Sequence, residues 1–296
     1  MNILITGGTG FIGTHLVRAL CNHHQLHVLV PPDLDFVIPE NVKVIEFSDD
    51  IPALHSYLIE NKIEGIVHLA TLFIAQHRSE QIKDMVLSNI YLGTAILEAV
   101  QASSVQWFLN TGTIWQNYKS DSLDYCPVNL YAATKQAFID MAAFYIETSD
   151  LKFVTLKLSD TFGGGDTRRK LFTILKEAAI SGEELRMSPG EQCLDILYIS
   201  DIISGFIHLI HLLHDNKIKE NDYVLAAQKR YTLKEVIGIF EKVSGKKLTV
   251  VWRGREYRKR EVMQPWQKGK VLPGWNAQLS LEQGIALYLN ENGDAY

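Results

Sequence analysis

Cysteine is scarce in this chain: Cys21, Cys126 and Cys193 are the three in 296 residues, an odd number with no Cys-x-x-Cys pair. That argues against a disulfide framework and against a zinc knuckle, and it suits a reducing cytosol. Positive charge is also short, since 29 Lys and Arg face 34 Asp and Glu for a net charge of −5. A nucleic-acid binder needs the opposite surplus on some face. Long apolar runs are missing too. The most apolar later stretch, Ile196 to Leu213, is broken by Ser200, Asp201, Ser204, His208 and His211, so it reads as a buried amphipathic helix rather than a membrane span. Met1-Asn2 leads straight into Ile3-Leu4-Ile5 and then into glycines, which leaves no secretory apolar segment. The expectation is a soluble, cytoplasmic protein that works on a small molecule, with no nucleic-acid or membrane partner.

What is present is a large apolar fraction, 47% hydrophobic against 21% charged, enough for one large core or two intimate ones. Short apolar runs alternate with longer helical patterns through the first half, as βαβ units do when they feed a parallel sheet. Expected strands are Asn2–Thr6, Leu26–Val30, Lys43–Glu46, Gly65–Leu69, Trp107–Asn110 and Phe153–Lys157, and a late one at Tyr223–Ala227. Expected helices cover Gly13–Cys21, Pro52–Asn61, Met85–Ala102, Leu130–Thr148 and Arg169–Ser181, with a long one from Ser200. The implied class is α/β, a Rossmann-type doubly wound parallel sheet. Residues 1–157 plus about 198–227 would form the dinucleotide-binding domain. About 158–197 plus 228–296 would form a smaller, discontinuous substrate domain.

The first strand runs into Gly7-Gly8-Thr9-Gly10-Phe11-Ile12-Gly13 and a helix follows at once. Glycines let the backbone bend tightly and approach a pyrophosphate, while the helix N-terminus supplies N–H groups and the positive end of its dipole. The GxxGxxG spacing resembles the extended branch of the short-chain dehydrogenase/reductase superfamily. In such folds an acidic residue after the second strand accepts hydrogen bonds from the adenosine ribose and selects NAD. Here Pro31 and Pro32 stand there, with Asp33 and Asp35 close by and no Arg. The preferred cofactor is therefore NADP (NADPH), with NAD as the alternative.

Tyr131 and Lys135 open the helix near Leu130, and their i, i+4 spacing puts phenol and ammonium on one face. A free tyrosine titrates near pH 10. The Lys135 cation is expected to favour the phenolate and lower that value, so that Tyr131 exchanges a proton with a carbonyl or alcohol oxygen. Thr111 or Thr113, after the strand at Trp107, would hydrogen-bond the reacting oxygen. Thr111 matches the family spacing better, and Thr113 is the substitute.

The resemblance extends over nearly the whole chain. Val67-His68-Leu69-Ala70, Asn89-Ile90-Tyr91, Leu194-Asp195 with Asp201, and Gly274-Trp275 are similar to the family's successive motifs. It implies cofactor contacts from Gly7, Gly10, Phe11, Ile12, Gly13, Leu69, Ala70, Thr71, Asn89, Tyr131, Lys135 and Leu158. It also implies substrate contacts from Thr71, Thr113, Asp160 and Arg258. Members of the branch act mostly on nucleotide-linked sugars. Its dehydratases follow the catalytic Thr with Asp-Glu, whereas this chain has Gly112-Thr113, which disfavours dehydration.

The details at 68–71, 109–111 and 258–263 resemble the synthases of CDP-linked 3,6-dideoxyhexoses, which reduce a 4-keto group with NADPH for bacterial surface polysaccharides. The implied activity is NADPH-dependent reduction of a nucleotide-linked 4-keto-deoxyhexose. A sugar 4-epimerase with bound NAD and a non-catalytic NADP-sensing regulator are the rivals, and a homodimer is left open. Leu194, Lys157 and Asp160 stand where the family has Arg, Arg and Asn, so other cations must hold the diphosphate, Arg253, Arg255, Arg258 and Arg260 being nearest. His208, His211 and His214 lie on an apolar helix without Cys or carboxylate partners, so no metal is expected. Trp252, Trp266 and Trp275 are expected to fill core.

Overall fold

A computed structural model describes residues 1–290. Seven parallel strands form the central sheet: β1 (Asn2–Thr6), β2 (Gln25–Val30), β3 (Lys43–Glu46), β4 (Gly65–His68), β5 (Trp107–Thr113), β6 (Lys152–Leu158) and, much later, β11 (Asp222–Leu225). Their order is β11-β6-β5-β4-β1-β2-β3. The order reverses between β1 and β4, and this is where a doubly wound sheet opens a crevice at the carboxyl ends of its strands. Register is fixed by pairs such as Ile3 with Leu26, Ile5 with Val67, and Thr113 with Leu158.

Most of the sheet is buried on both faces, so its inner strands are largely apolar instead of alternating with polar residues, while the edge strand β3 is mostly exposed. Ile3, Ile5, Leu109 and Leu156 point into one core, completed by α1 (Phe11–Leu20) and α7 (Ile199–His214). Leu4, Ile66, Phe108 and Phe153 point into the other, under α2 (Ile51–Glu60), α4 (Leu92–Val100) and α5 (Leu130–Glu147). Phe108, Phe138 and Phe153 meet there as one aromatic cluster, Phe108 and Phe153 stacked 5.3 Å apart.

Two stretches depart from the sequence pattern. The helix expected over Met85–Ala102 divides into α3 (Ile82–Val86), a π-helical turn at Leu87–Tyr91, and α4. Widening of this kind turns a side chain away from its regular face, and the residue it turns inward is Asn89, which is fully buried. Strand β5 runs on to Thr113, three residues past the expected end, because Thr111, Gly112 and Thr113 keep pairing with Leu156, Lys157 and Leu158.

The remaining strands are short pairs beside the crevice: β7 (Asp160–Phe162) with β10 (Ile196–Tyr198), β8 (Leu185–Arg186) with β13 (Val250–Val251), and β9 (Cys193–Leu194) with β12 (Tyr231–Thr232). Helices α6 (Leu171–Ser181), α8 (Leu233–Ser244) and α9 (Leu281–Asn290) pack around them. Two carboxylates tie this region down. Asp195 accepts from Ala227 N at 2.9 Å and Arg230 Nε at 2.9 Å, and Asp201 accepts from Gln278 N at 3.0 Å and Leu279 N at 3.2 Å. The aspartates of that motif therefore serve architecture. Trp266 and Trp275 are buried with their indole N–H groups bonded to Ser122 O and Ser204 Oγ, as core tryptophans should be.

No helix among the described residues is long and apolar enough to cross a membrane. No group of three metal-ligating side chains occurs among them either.

Candidate active site

The glycine turn is shaped by backbone proximity. Gly7 has φ +68° and sits against the β4 loop, where an added Cβ would lie 2.6 Å from Ala70 N. A Cβ on Gly13 would run into the Gly7 carbonyl, so neither position admits a side chain. Gly10 is different: its Cβ would meet only Gly7 O, at 3.3 Å, and would otherwise project into the crevice. Helix α1 begins after Gly10 with no side-chain cap and no acid in its first turn. Its first N–H groups, at Phe11, Ile12 and Gly13, have no intrahelical partners and face an anion's place.

Beside the turn, β4 ends in a buried hydrogen-bonded knot. His68 Nδ1 lies 2.8 Å from Thr6 Oγ1, which also accepts from Ala70 N at 3.2 Å. Burial, with the Lys135 charge second, pushes His68 down to about 3, so the ring is neutral.

Asn89 then fixes the next two residues. Its Oδ1 accepts from Thr71 Oγ1 at 2.9 Å and from Leu72 N at 2.7 Å, while its Nδ2 donates to Leu72 O at 3.1 Å and to Thr134 Oγ1 at 2.9 Å. Two acceptor and two donor positions are thereby filled. Asn89, expected to touch the cofactor, is thus engaged within the protein, where it holds the Thr71 loop to α5.

Tyr131 and Lys135 are 8% and 1% exposed. The expected depression of the phenol by its lysine is not found. Burial pushes Tyr131 up to about 12, and what opposes it is a hydrogen bond with Thr71 and the charge of Arg168, not Lys135. Burial pulls Lys135 down to about 8. Desolvation wins because both groups are buried, the Tyr131 ring also meeting that of Phe73 edge-on at 4.9 Å. Lys135 Nζ and Thr111 Oγ1 are both buried without a hydrogen-bond partner. Such orphans are costly, and ribose hydroxyls beside Lys135 with a substrate oxygen beside Thr111 would satisfy them. The cradle at Gly7 to Gly13 and these orphaned atoms fit a nicotinamide dinucleotide lying across the carboxyl edge of the sheet.

Thr111 and Thr113 share one face of β5, with Gly112 on the other. Thr113 is engaged: its Oγ1 accepts from Trp115 N at 3.2 Å and caps a short 3₁₀ turn. Gly112 leaves no room for a side chain, since a Cβ would come within 2.7 Å of Thr155 Cγ2 and 2.8 Å of Gln116 Oε1.

Beyond Tyr131 a cavity of about 710 Å³ opens between the sheet edge and the smaller region, walled by Phe73, Trp115, Asp160, Lys170, Leu194 and Arg258 among others. Asp160 and Arg258 are where the sequence placed substrate contacts. Burial raises Asp160, with Lys170 as the main opposing charge. Arg255 also lines the cavity. Arg260 turns elsewhere, stacking over Tyr118 and donating to Cys126 Sγ at 2.9 Å. Lys157 is spent on structure: it pairs with Asp222 at 3.2 Å, donates to Asn117 at 3.3 Å and lies over Trp266.

Sequence reasoning missed Phe73, Asp166, Arg168 and Lys170. The Arg168-Arg169-Lys170 run after the glycines at 163–165 was the available signal, and only the fold carries it to the crevice. Lys170, the residue before α6, reaches over Phe73 with Nζ 5.0 Å from the ring centroid.

Known proteins share both the sequence and this architecture. The chain is 25% identical over 293 residues to a CDP-abequose synthase of Salmonella muenchen, with 97% of each covered. It is 24% identical over 324 residues to UDP-glucose 4-epimerase 2 of Arabidopsis thaliana, covering 95% of this chain and 92% of that one. Among solved structures, UDP-glucuronic acid 4-epimerase from Bacillus cereus, in complex with UDP-glucuronic acid and NAD, superposes with a TM-score of 0.82 at 21% identity, over 97% of this chain and 98% of that one. UDP-glucose 4-epimerase from Thermotoga maritima, with UDP-glucose, gives 0.81 at 21% identity, over 98% and 97%. At those identities the structures establish the fold. The sequence model of the NAD dependent epimerase/dehydratase family matches residues 3–226, most of the chain, and the protein belongs to that family of NAD(P)-linked oxidoreductases.

Proposed function

We propose that the protein reduces the 4-keto group of a nucleotide-linked deoxyhexose with NADPH, in the making of a sugar for a bacterial surface polysaccharide. The observation that carries this reading is a pair of donors beside the cavity: the buried phenol of Tyr131 and the unpartnered Thr111 hydroxyl, the proton donor and the hydrogen-bond donor that a carbonyl oxygen needs as it becomes an alcohol. The packing around Gly112 supports it, because the Asp of a dehydratase's Asp-Glu pair cannot be accommodated there. The likeness to CDP-abequose synthase points the same way.

In the proposed reaction the nicotinamide, when bound, supplies the hydride to C4. Tyr131 Oη gives its proton to the carbonyl oxygen as that carbon is reduced. Thr111 Oγ1 donates a hydrogen bond to the same oxygen. Lys135 holds the ribose, and the Thr71 hydrogen bond with the Arg168 charge favours the phenolate left on Tyr131. Phe73 and Trp115, 5.9 Å apart, keep water from the reacting oxygen. Arg258 and Lys170 face the diphosphate. Residues 1–157 with about 198–227 hold the cofactor, and about 158–197 with 228–296 hold the sugar.

NADPH is preferred over NADH because Pro31 removes the carboxylate that would repel a 2′-phosphate. Two copies pair through the adjoining faces of α3, the π-helical turn and α5, where Ile82, Val86, Tyr91, Met141 and Phe144 are exposed apolar residues.

The test is NADPH and NADH consumption against CDP-, GDP-, dTDP- and UDP-linked 4-keto sugars, with Tyr131→Phe as control. Turnover with at least one of them, lost in Tyr131→Phe while NADPH still binds, is expected. Stoichiometric NAD retained through purification, with 4-epimerisation of a sugar nucleotide, would overturn the proposal in favour of the epimerase. Light scattering on the purified protein checks the dimer.

A further inference from the structure

The loop between β7 and α6 folds back over the glycine turn. His15 Nε2, on α1, lies 2.9 Å from Gly164 O, and the Arg168 guanidinium lies over the Phe11 ring at 4.9 Å. Phe11 is the first residue of α1, so Arg168 sits at the open end of the helix that receives the cofactor's phosphates. Its position is fixed by Asp166, whose carboxylate accepts from Arg168 Nε at 2.6 Å, from Nη2 at 2.8 Å and from the backbone N at 3.1 Å. The Asp166 side chain is 6% exposed and that of Arg168 35%. A buried carboxylate therefore holds a cation whose outer edge stays open.

Guanidinium has five N–H donors. Two are used on Asp166, and the other three have no acceptor among the described residues. The same charge also acts on Tyr131 and Asp160.

We propose that Arg168, oriented by Asp166, is the cation that binds the pyrophosphate of the dinucleotide, closing the 163–170 loop over the cofactor. The glycine turn offers the pyrophosphate only backbone N–H groups and a helix dipole, and no Lys or Arg occurs between Gly7 and Arg18. A planar guanidinium held at the edge of the turn adds a charge-assisted donor pair there. Because the loop continues into Lys170, which faces the substrate cavity, cofactor binding also sets the position of that residue. The inference rests on the glycine turn being the cofactor seat, and not on the identity of the sugar.

The experiment is fluorescence titration of NADPH and NADH into the protein without sugar substrate. Arg168→Gln is expected to raise the NADPH Kd at least about tenfold, as loss of a charge-assisted hydrogen-bonded pair should, and to flatten the dependence of Kd on salt. Asp166→Asn, which leaves the cation but loosens it, is expected to raise Kd by less. Because Arg168→Gln leaves a buried carboxylate unpaired, the double variant with Asp166→Asn keeps the fold testable, and the same tenfold rise is expected in it. Binding within twofold of the native protein in the double variant would overturn the assignment of Arg168. Failure of the native protein to bind either nucleotide would instead overturn the cofactor seat and this inference with it.

Discussion

Asn89 Nδ2 donates to Thr134 Oγ1 at 2.9 Å, and this one hydrogen bond ties a π-helical turn to α5, the helix of Tyr131 and Lys135, across 45 residues of sequence. With Thr71 and Leu72 on the other side of the same amide, it sets where Thr71 meets Tyr131. Asn89→Leu should strand the Leu72 backbone groups and lower stability by about 3 kcal/mol in urea unfolding. NADPH affinity should change less than turnover. A variant of native stability with greatly weakened NADPH binding would instead make Asn89 a direct cofactor ligand.

The glycines of the turn should separate into two kinds. Gly13→Ala forces a methyl group into the Gly7 carbonyl and should cost about 2 kcal/mol or more of stability. Gly10→Ala meets only Gly7 O, at a tight 3.3 Å, and should cost less stability than Gly13→Ala, yet it places a methyl group where a phosphate approaches. Calorimetry with NADPH titration checks both, the Gly10 variant losing more affinity than stability.

Thr111 and Thr113 can be distinguished by what each already bonds. Thr111→Val removes a hydroxyl with no protein partner, so stability should hold or rise while turnover falls about a hundredfold. Thr113→Val removes a cap from Trp115 N and should lower stability by about 1 kcal/mol with a smaller effect on rate. The reverse pattern in thermal melts and steady-state rates would transfer the carbonyl-binding role to Thr113.

Lys135 gives the protein an unusual alkaline response. Its value in the folded protein is about 8 against 10.5 for a free lysine. Between those two pH values the unfolded chain binds the extra proton, so stability rises with pH. Lys135→Met should thus be more stable than the native protein at pH 7, by about 2 kcal/mol, and the gap should close by about pH 10.5. Tyr131 acts oppositely: its raised value means the folded state holds the proton above pH 10, and stability falls as pH rises from there to about 12. Melting curves of the cofactor-free protein from pH 7 to 11 record both.

Most of the sheet was legible in the sequence because strands buried on both faces read as unbroken apolar runs, and β1, Asn2–Thr6, falls at the expected residues; so does β3, Lys43–Glu46, although this edge strand is mostly exposed. The Tyr131–Lys135 pair was legible from helical spacing. Its electrostatics were not, because both groups are buried by chain remote in sequence, such as Phe73 against the Tyr131 ring. The role of Asn89 was hidden likewise, since a π turn cannot be read from apolar periodicity. Arg168 drew no attention in the sequence, because only the fold returns its loop over α1.

Strand β11 occupies the outer edge of the sheet beside β6, pairing Tyr223 with Leu156 and Leu225 with Leu158. During synthesis the chain must therefore wait some 60 residues with β6 laid down and its far edge unpaired, the kind of surface on which nascent chains associate wrongly. The crevice-forming segments emerge within that interval, before the sheet that must support them is complete.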